Sequence, residues 1–321
     1  WGAPTAEQIG MIATHWNKGW IIEYNVISNS KCSGITLGKE RQTGHNVWLN
    51  DTSLDGSLHY IEVTFNTIRN GWNKENIGSH IVRNNEISYC EQTGICGSMG
   101  AAFSLIENNH IHDIWVKRQF TGAEIGGIKF HAAVDTRIIH NRIHNAGRSL
   151  WLDWMTQGTR VSGNLFYDND LEDIFLEVNH GPFLVDNNIF ASRRSILEQS
   201  QGGAYVHNLI AGDIYRYVEH GRYTPYFLPH STEVAGLSII PGGDDRYINN
   251  LFATTNPVTE GENKRKYGLA DYNKTVYPMM VEGNVYYNKA LPFEGEKNSV
   301  VLPDFNPNVK IEETADGVYL S

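Results

Sequence analysis

A short unit, apolar-x-x-Asn-x-apolar, returns along most of this chain's 321 residues. It reads Ile22-Glu23-Tyr24-Asn25-Val26-Ile27, then Val82-Arg83-Asn84-Asn85-Glu86-Ile87 and Ile106-Glu107-Asn108-Asn109-His110-Ile111. It recurs around Asn141, Asn164, Asn188, Asn208, Asn250 and Asn284, with a weaker copy at Asn66. The spacing is about two dozen residues, which is one coil of a solenoid. Within each unit, short alternating apolar runs are cut by Gly, Asn and Asp. That is the pattern of strands joined by tight corners, and it excludes helical repeats. An Asn at a fixed place in every coil can occupy the left-handed backbone region cheaply and stack its amide on the Asn above and below. The prediction is an all-β chain, a right-handed parallel β-helix over residues 1–288, in which these Asn are corner and ladder residues rather than ligands.

Longer intervals mark insertions, where repeat folds place binding surfaces. One falls near residues 112–126; another, near 214–245, carries Tyr215, Tyr217, Glu219, His220, Tyr223, Tyr226, Phe227 and His230. Aromatic side chains with a polar edge suit sugar rings, and equally suit a packed loop on the solenoid flank. Beyond Asn284 the repeat fades into Pro292, Pro303 and Pro307, so residues 289–321 read as a C-terminal tail or cap. At the other end, Ile9-Gly10-Met11-Ile12 already reads as a coil strand with no capping element before it. Open solenoid ends expose apolar core, so preceding coils, or a partner chain such as a second copy, are expected to cover it.

Composition narrows the partners. No apolar run approaches the roughly 18 residues of a membrane span, and the net charge of −10 repels phosphate backbones, so neither membrane nor nucleic acid is an expected partner. Uncharged ligands are favoured. Cys32, Cys90 and Cys96 cannot all pair; buried free thiols are expected, with a Cys90–Cys96 disulfide as the alternative. Free thiols and the absence of a legible signal segment at Trp1–Thr5 favour a reducing, cytoplasmic compartment. No metal-ligand spacing stands out, since His110, His112, His140 and His144 read as structural corner residues.

The coil register places charges relative to one another. Parallel coils lie about 4.8 Å apart, and the runs Gly127–His131, Trp151–Met155 and Phe175–Asn179 align at equal offsets. Alternation puts Ile128, Phe130, Leu152, Trp154, Leu176 and Val178 inside, with Lys129, Asp153 and Glu177 outside on one line that Glu198 extends. Two carboxylates on adjacent coils stand roughly 5 Å apart, the separation retaining glycosidases use. At that distance one retains a proton, leaving one acid and one nucleophile. A solvated ladder offset by Lys129 is the plainer alternative, though stacked like charges cost stability and Trp151 and Phe175 flank them. His131, beside Lys129, and His180, at the Gly181-Pro182 corner, are candidate substrate-binding residues with Lys129, Trp151 and Glu198.

The motifs Trp151-Leu152-Asp153-Trp154-Met155-Thr156-Gln157-Gly158-Thr159-Arg160 and Asp173-Ile174-Phe175-Leu176-Glu177-Val178-Asn179-His180-Gly181-Pro182 resemble those of the β-xylosidases of glycoside hydrolase family 120. The resemblance runs from residue 1 to about 290 and covers the C-terminal part of such an enzyme, without the earlier coils and inserted β-sandwich. It implies retaining hydrolysis of xylo-oligosaccharides in xylan degradation without a cofactor, with Asp153 as nucleophile, Glu177 as general acid/base and Glu124 as a further active-site acid. Two other readings share the fold: a Ca²⁺-dependent, pectate-lyase-like enzyme using Lys129 as base, and a non-catalytic carbohydrate-binding solenoid.

Overall fold

The computed structural model describes residues 10–38, 54–119, 125–254, 257 and 267–321. Each coil contributes one strand to each of three parallel sheets. The first sheet runs from Gly10–Ala13 through Ser33–Thr36, Thr93–Ser98, Gly126–His131, Leu150–Asp153, Glu172–Glu177 and Arg194–Gln199 to Asp213–Arg216. The second runs from Ile21–Glu23 to Met280–Glu282 and the third from Val26–Ser28 to Val300–Leu302. Coil winding therefore continues past residue 288, because Val300–Leu302 pairs with Val285–Tyr287. Among the described residues no helix is long and apolar enough to cross a membrane.

The inward faces supply a single column of aliphatic and aromatic side chains, from Ile22 and Ile35 through Ile128, Leu152 and Leu176 to Tyr247 and Tyr286. Beside it the Asn ladder holds the corner between the second and third sheets. Asn25 donates from Nδ2 to Asn85 Oδ1 at 2.9 Å, and Asn85, Asn109, Asn141, Asn164, Asn188, Asn208 and Asn250 repeat the bond to the next member. Asn284 ends the column by donating to Glu296 Oε1 at 2.8 Å. The left-handed residue is the one before each ladder Asn: Tyr24, Asn84, Asn108, His140, Gly163, Asn187, His207, Asn249 and Gly283 all have positive φ. That residue turns the chain, and the Asn after it is free to point its amide along the stack.

Asn66 is not a coil copy. It lies in the helix Leu54–Arg69, inside an insertion between Ser33–Thr36 and Ile81–Arg83. The ladder passes directly from Asn25 to Asn85, so the long interval holds one excursion rather than a weak coil. A second excursion forms the antiparallel hairpin Glu219–Phe227 and Val234–Ile240. Helix and hairpin pack together in a separate apolar cluster containing Ile61, Trp72, Met99, Met155, Phe227 and Ile240. Trp154 and Val178 belong to this cluster and not to the solenoid interior, because both take positive φ and break the strand alternation just after Asp153 and Glu177.

Three further expectations meet the structure here. His110, His112 and His144 lie in strands, not corners, and stack with Tyr167 on the outer face of the third sheet. The hairpin Ile311–Thr314 and Gly317–Leu320 folds back onto this face, where Glu313 accepts from Tyr167 Oη at 2.6 Å and pairs with Arg142 at 2.7 Å. No disulfide joins Cys32, Cys90 and Cys96.

Candidate active site

On the outer face of the first sheet two side-chain columns run side by side. Parallel pairing aligns His131 with Asp153, Asp153 with Glu177, and Glu177 with Gln199. Two residues earlier on each strand, Lys129, Trp151, Phe175, Leu197 and Tyr215 form the second column. Asp153 and Glu177 are therefore nearest neighbours across one strand gap, as the spacing predicts. Lys129 stands one place to the side of that line, opposite Trp151.

Glu198 does not extend the line. It pairs with Leu176, an interior residue, and is fully buried inside the solenoid, where Oε1 accepts from the Ser200 amide at 3.0 Å and Oε2 from Tyr205 Oη. Gln199 takes the outward position. The winding from Asp153 to Glu177 is two residues longer than the one from Glu177 to Gln199, so counting on from it misses the register, and a slip of one residue exchanges the faces of a strand. His180 is also placed elsewhere. Its Nε2–H is shared between the carbonyls of Thr224 at 2.9 Å and Ser238 at 3.2 Å, and Nδ1 accepts from Gln201 at 3.3 Å. Nε2 thus holds the hairpin and Nδ1 a coil side chain, so both ring nitrogens are engaged away from the carboxylates. Glu124 lies outside the described residues.

The two carboxyl groups have different company. Asp153 Oδ2 lies 3.0 Å from Lys129 Nζ and 2.9 Å from His131 Nε2, while Oδ1 is buried and accepts no hydrogen bond among the described residues. Burial alone raises such a carboxyl, but Lys129 and His131 outweigh it and hold Asp153 below the usual carboxylate range. Glu177 lies the other way. Burial, and then the charge of Asp153, push its carboxyl up, with Arg222 and Lys129 opposing. Its Oε2 accepts from Trp151 Nε1–H at 2.9 Å and its Oε1 from Arg222 Nη1. Trp151 is consequently not an open sugar platform: it is 6% exposed, with Lys129 Nζ 5.0 Å and Arg148 Cζ 4.6 Å from a ring centroid.

Arg222 is the site residue that the sequence does not signal. It comes from the hairpin, where coil register is lost, and no period relates it to Glu177. The arrangement gives one firmly ionised carboxylate and one proton-binding carboxyl on adjacent coils. That pair can attack an electrophilic carbon and protonate a leaving oxygen.

These features define a parallel β-helix with an acidic site on its first sheet. Residues 47–210 match the family model described as right handed beta helix region, and the chain belongs to that family. No curated protein matches it. Among solved structures, one described as the complex structure of XylC with xylose matches with 48% sequence identity and a TM-score of 0.90. That match covers 100% of this chain and 53% of the other, so the chain spans about half the length of the protein it resembles. The likeness bears out the resemblance read from the motifs around Asp153 and Glu177.

Proposed function

We propose that the chain is the catalytic β-helix part of a glycoside hydrolase that cleaves β-xylosidic bonds of xylo-oligosaccharides with retention. The observation that carries this reading is the unequal pair: Asp153 held ionised by Lys129 and His131, beside Glu177 with a raised affinity for its proton. The choice of sugar rests on the likeness to XylC, whose solved structure is a complex with xylose.

In the first step Asp153 Oδ1 attacks the anomeric carbon while Glu177 gives its proton to the glycosidic oxygen, so the leaving alcohol departs neutral and a glycosyl ester forms. In the second, Glu177 takes a proton from water, which attacks the same carbon and frees Asp153. Lys129 and His131 keep their hold on Oδ2 throughout, which lowers the barrier for charge returning to the carboxylate. Trp151 fixes Glu177 through its N–H. Glu124 is proposed, from the resemblance alone, as a further acid contacting sugar hydroxyls. No described feature favours the lyase reading: Lys129 is buried, with its ammonium engaged by Asp153 and His131.

The test is release of nitrophenol from p-nitrophenyl β-xyloside beside a panel of other aryl glycosides. Xyloside-selective release that disappears in a folded Asp153→Asn variant is expected; near-normal turnover by that variant overturns the assignment.

A further inference from the structure

The line that holds Asp153 and Glu177 is longer than the pair. On one side of Asp153 come His131 and then Ser98; on the other side of Glu177 comes Gln199. Register carries the line one coil further. Glu198 pairs with Arg216, so Tyr217 is the residue opposite Gln199, and its amide donates to the Glu198 carbonyl at 3.0 Å. Alternation holds across this step: Tyr215 lies outside under the Arg194 guanidinium, Arg216 lies over the ring of the interior Tyr272, and Tyr217 points out again. The two ends of the line differ in exposure. Ser98, Asp153 and Glu177 are buried, Gln199 is half-buried with no side-chain hydrogen bond among the described residues, and Tyr217 is 56% exposed. The line is closed behind Asp153 and reaches solvent beyond Glu177.

The reaction has a direction along this line. Displacement at the anomeric carbon is in line, so the leaving oxygen stands opposite the attacking Asp153 oxygen and beside Glu177, which protonates it. The leaving group therefore departs on the far side of Glu177 from Asp153, the side of Gln199 and Tyr217. We infer that Gln199 and Tyr217 form the site for the leaving sugar: the Gln199 amide hydrogen-bonds hydroxyls of the departing xylose unit, and the Tyr217 ring packs on its apolar face. This rests on the proposed hydrolase reading and names the side chains by which the enzyme would tell an oligosaccharide from a xyloside with a small leaving group. Strands in the sheet are about 4.8 Å apart, so Gln199 stands one step from Glu177 and Tyr217 two steps, about 10 Å, a span that one pyranose ring carried on the scissile oxygen fills. An amide both donates and accepts, as sugar hydroxyls do. A phenol ring offers an apolar face with a polar edge. Neither side chain brings a charge, so a neutral sugar is bound without disturbing the unequal pair beside it.

The experiment compares xylobiose with β-xylosyl fluoride, which share the sugar that Asp153 attacks, in wild type, Gln199→Ala, Tyr217→Ala and Tyr217→Phe. Xylobiose places a sugar on the leaving side, whereas departing fluoride reaches neither residue. The ratio of the two kcat/KM values therefore reports the leaving-sugar site and cancels any general loss of folded enzyme or of attack by Asp153. That ratio should fall on the order of tenfold in each alanine variant, while Tyr217→Phe, which keeps the ring, stays near wild type. By microscopic reversibility the same site receives the acceptor when a sugar hydroxyl, giving its proton to Glu177, takes the glycosyl group from Asp153. Transfer to added xylobiose should accordingly decline relative to hydrolysis in the alanine variants. An unchanged ratio in these variants, with both substrates turned over, overturns the site alone. A wild type that turns over neither substrate sinks the hydrolase reading and the site with it.

Discussion

Asp153 and Glu177 carry the same functional group one strand apart, and what separates them chemically is which neighbours bring positive charge to bear. Lys129 is the strongest of these for Asp153. Lys129→Met removes the ammonium at 3.0 Å but leaves His131, so kcat for an aryl xyloside should fall on the order of a hundredfold, and the loss of a buried ion-pair partner should lower the unfolding midpoint as well. Retention of full activity would show that His131 suffices. For Glu177→Ala, an activated aryl xyloside should still glycosylate Asp153, because nitrophenolate leaves without a proton, whereas the ester should then hydrolyse slowly. Added azide should restore turnover and give a β-configured xylosyl azide; an α-azide would mean inversion and remove the covalent intermediate. The residue scale also shows what spacing can and cannot read. Lys129 is set one side-chain place from its expected partner, an even slip that preserves its face. Glu198 is off by a single residue, an odd slip that sends it indoors.

At the scale of elements, the coils were legible because their Asn residues repeat the same physical demand. Asn164, fully buried, donates to Asn188 and to the Ile138 carbonyl and accepts from the backbone and side chain of Asn141. Asn164→Ala strands these groups in a site water does not reach, so a loss of about 2–4 kcal/mol is expected from chemical denaturation, against about 1 kcal/mol or less for an exposed Asn such as Asn298. Equal losses at both positions would deny the ladder a structural role. The helix Leu54–Arg69 and the hairpin obeyed no coil period, and one hid behind an accidental match at Asn66. Insertions answer to the surface they cover, here the shared apolar cluster around Trp72 and Phe227. Arg222 was invisible in the sequence for the same reason: its meaning lies in a contact between an insertion and a coil.

Over the whole molecule the interior changes character along its axis. Early coils are filled by Ile, Val and Leu, whereas toward the end Tyr205 stacks on Tyr247 at 4.3 Å, Tyr247 bonds Tyr272 at 2.7 Å, and Glu198 and Asp245 are buried among them. Burial pushes the Glu198 carboxyl up to about 7 from its ordinary 4.5. The folded state thus binds this proton more tightly than the unfolded chain, so the resulting stability is complete below about pH 4.5 and is lost as pH rises to about 7. Glu198→Gln has no such proton to lose. Denaturant midpoints at pH 5, 6, 7 and 8 should show the variant gaining on wild type up to about pH 7, with little further change above it; a gap independent of pH would refute the linkage.

The Asn column has a sense as well as a position. Every amide donates toward the later coil, so the amide dipoles add head to tail, and the donor end of the column meets the Glu296 carboxylate, much as an acidic residue meets the N-terminus of a helix. Such a column is polar in the way a magnet is. A coil stacked before Asn25 can join it only by offering an N–H to Asn25 Oδ1, and only an acceptor can follow Asn284, so coils can be added to this solenoid in one orientation alone.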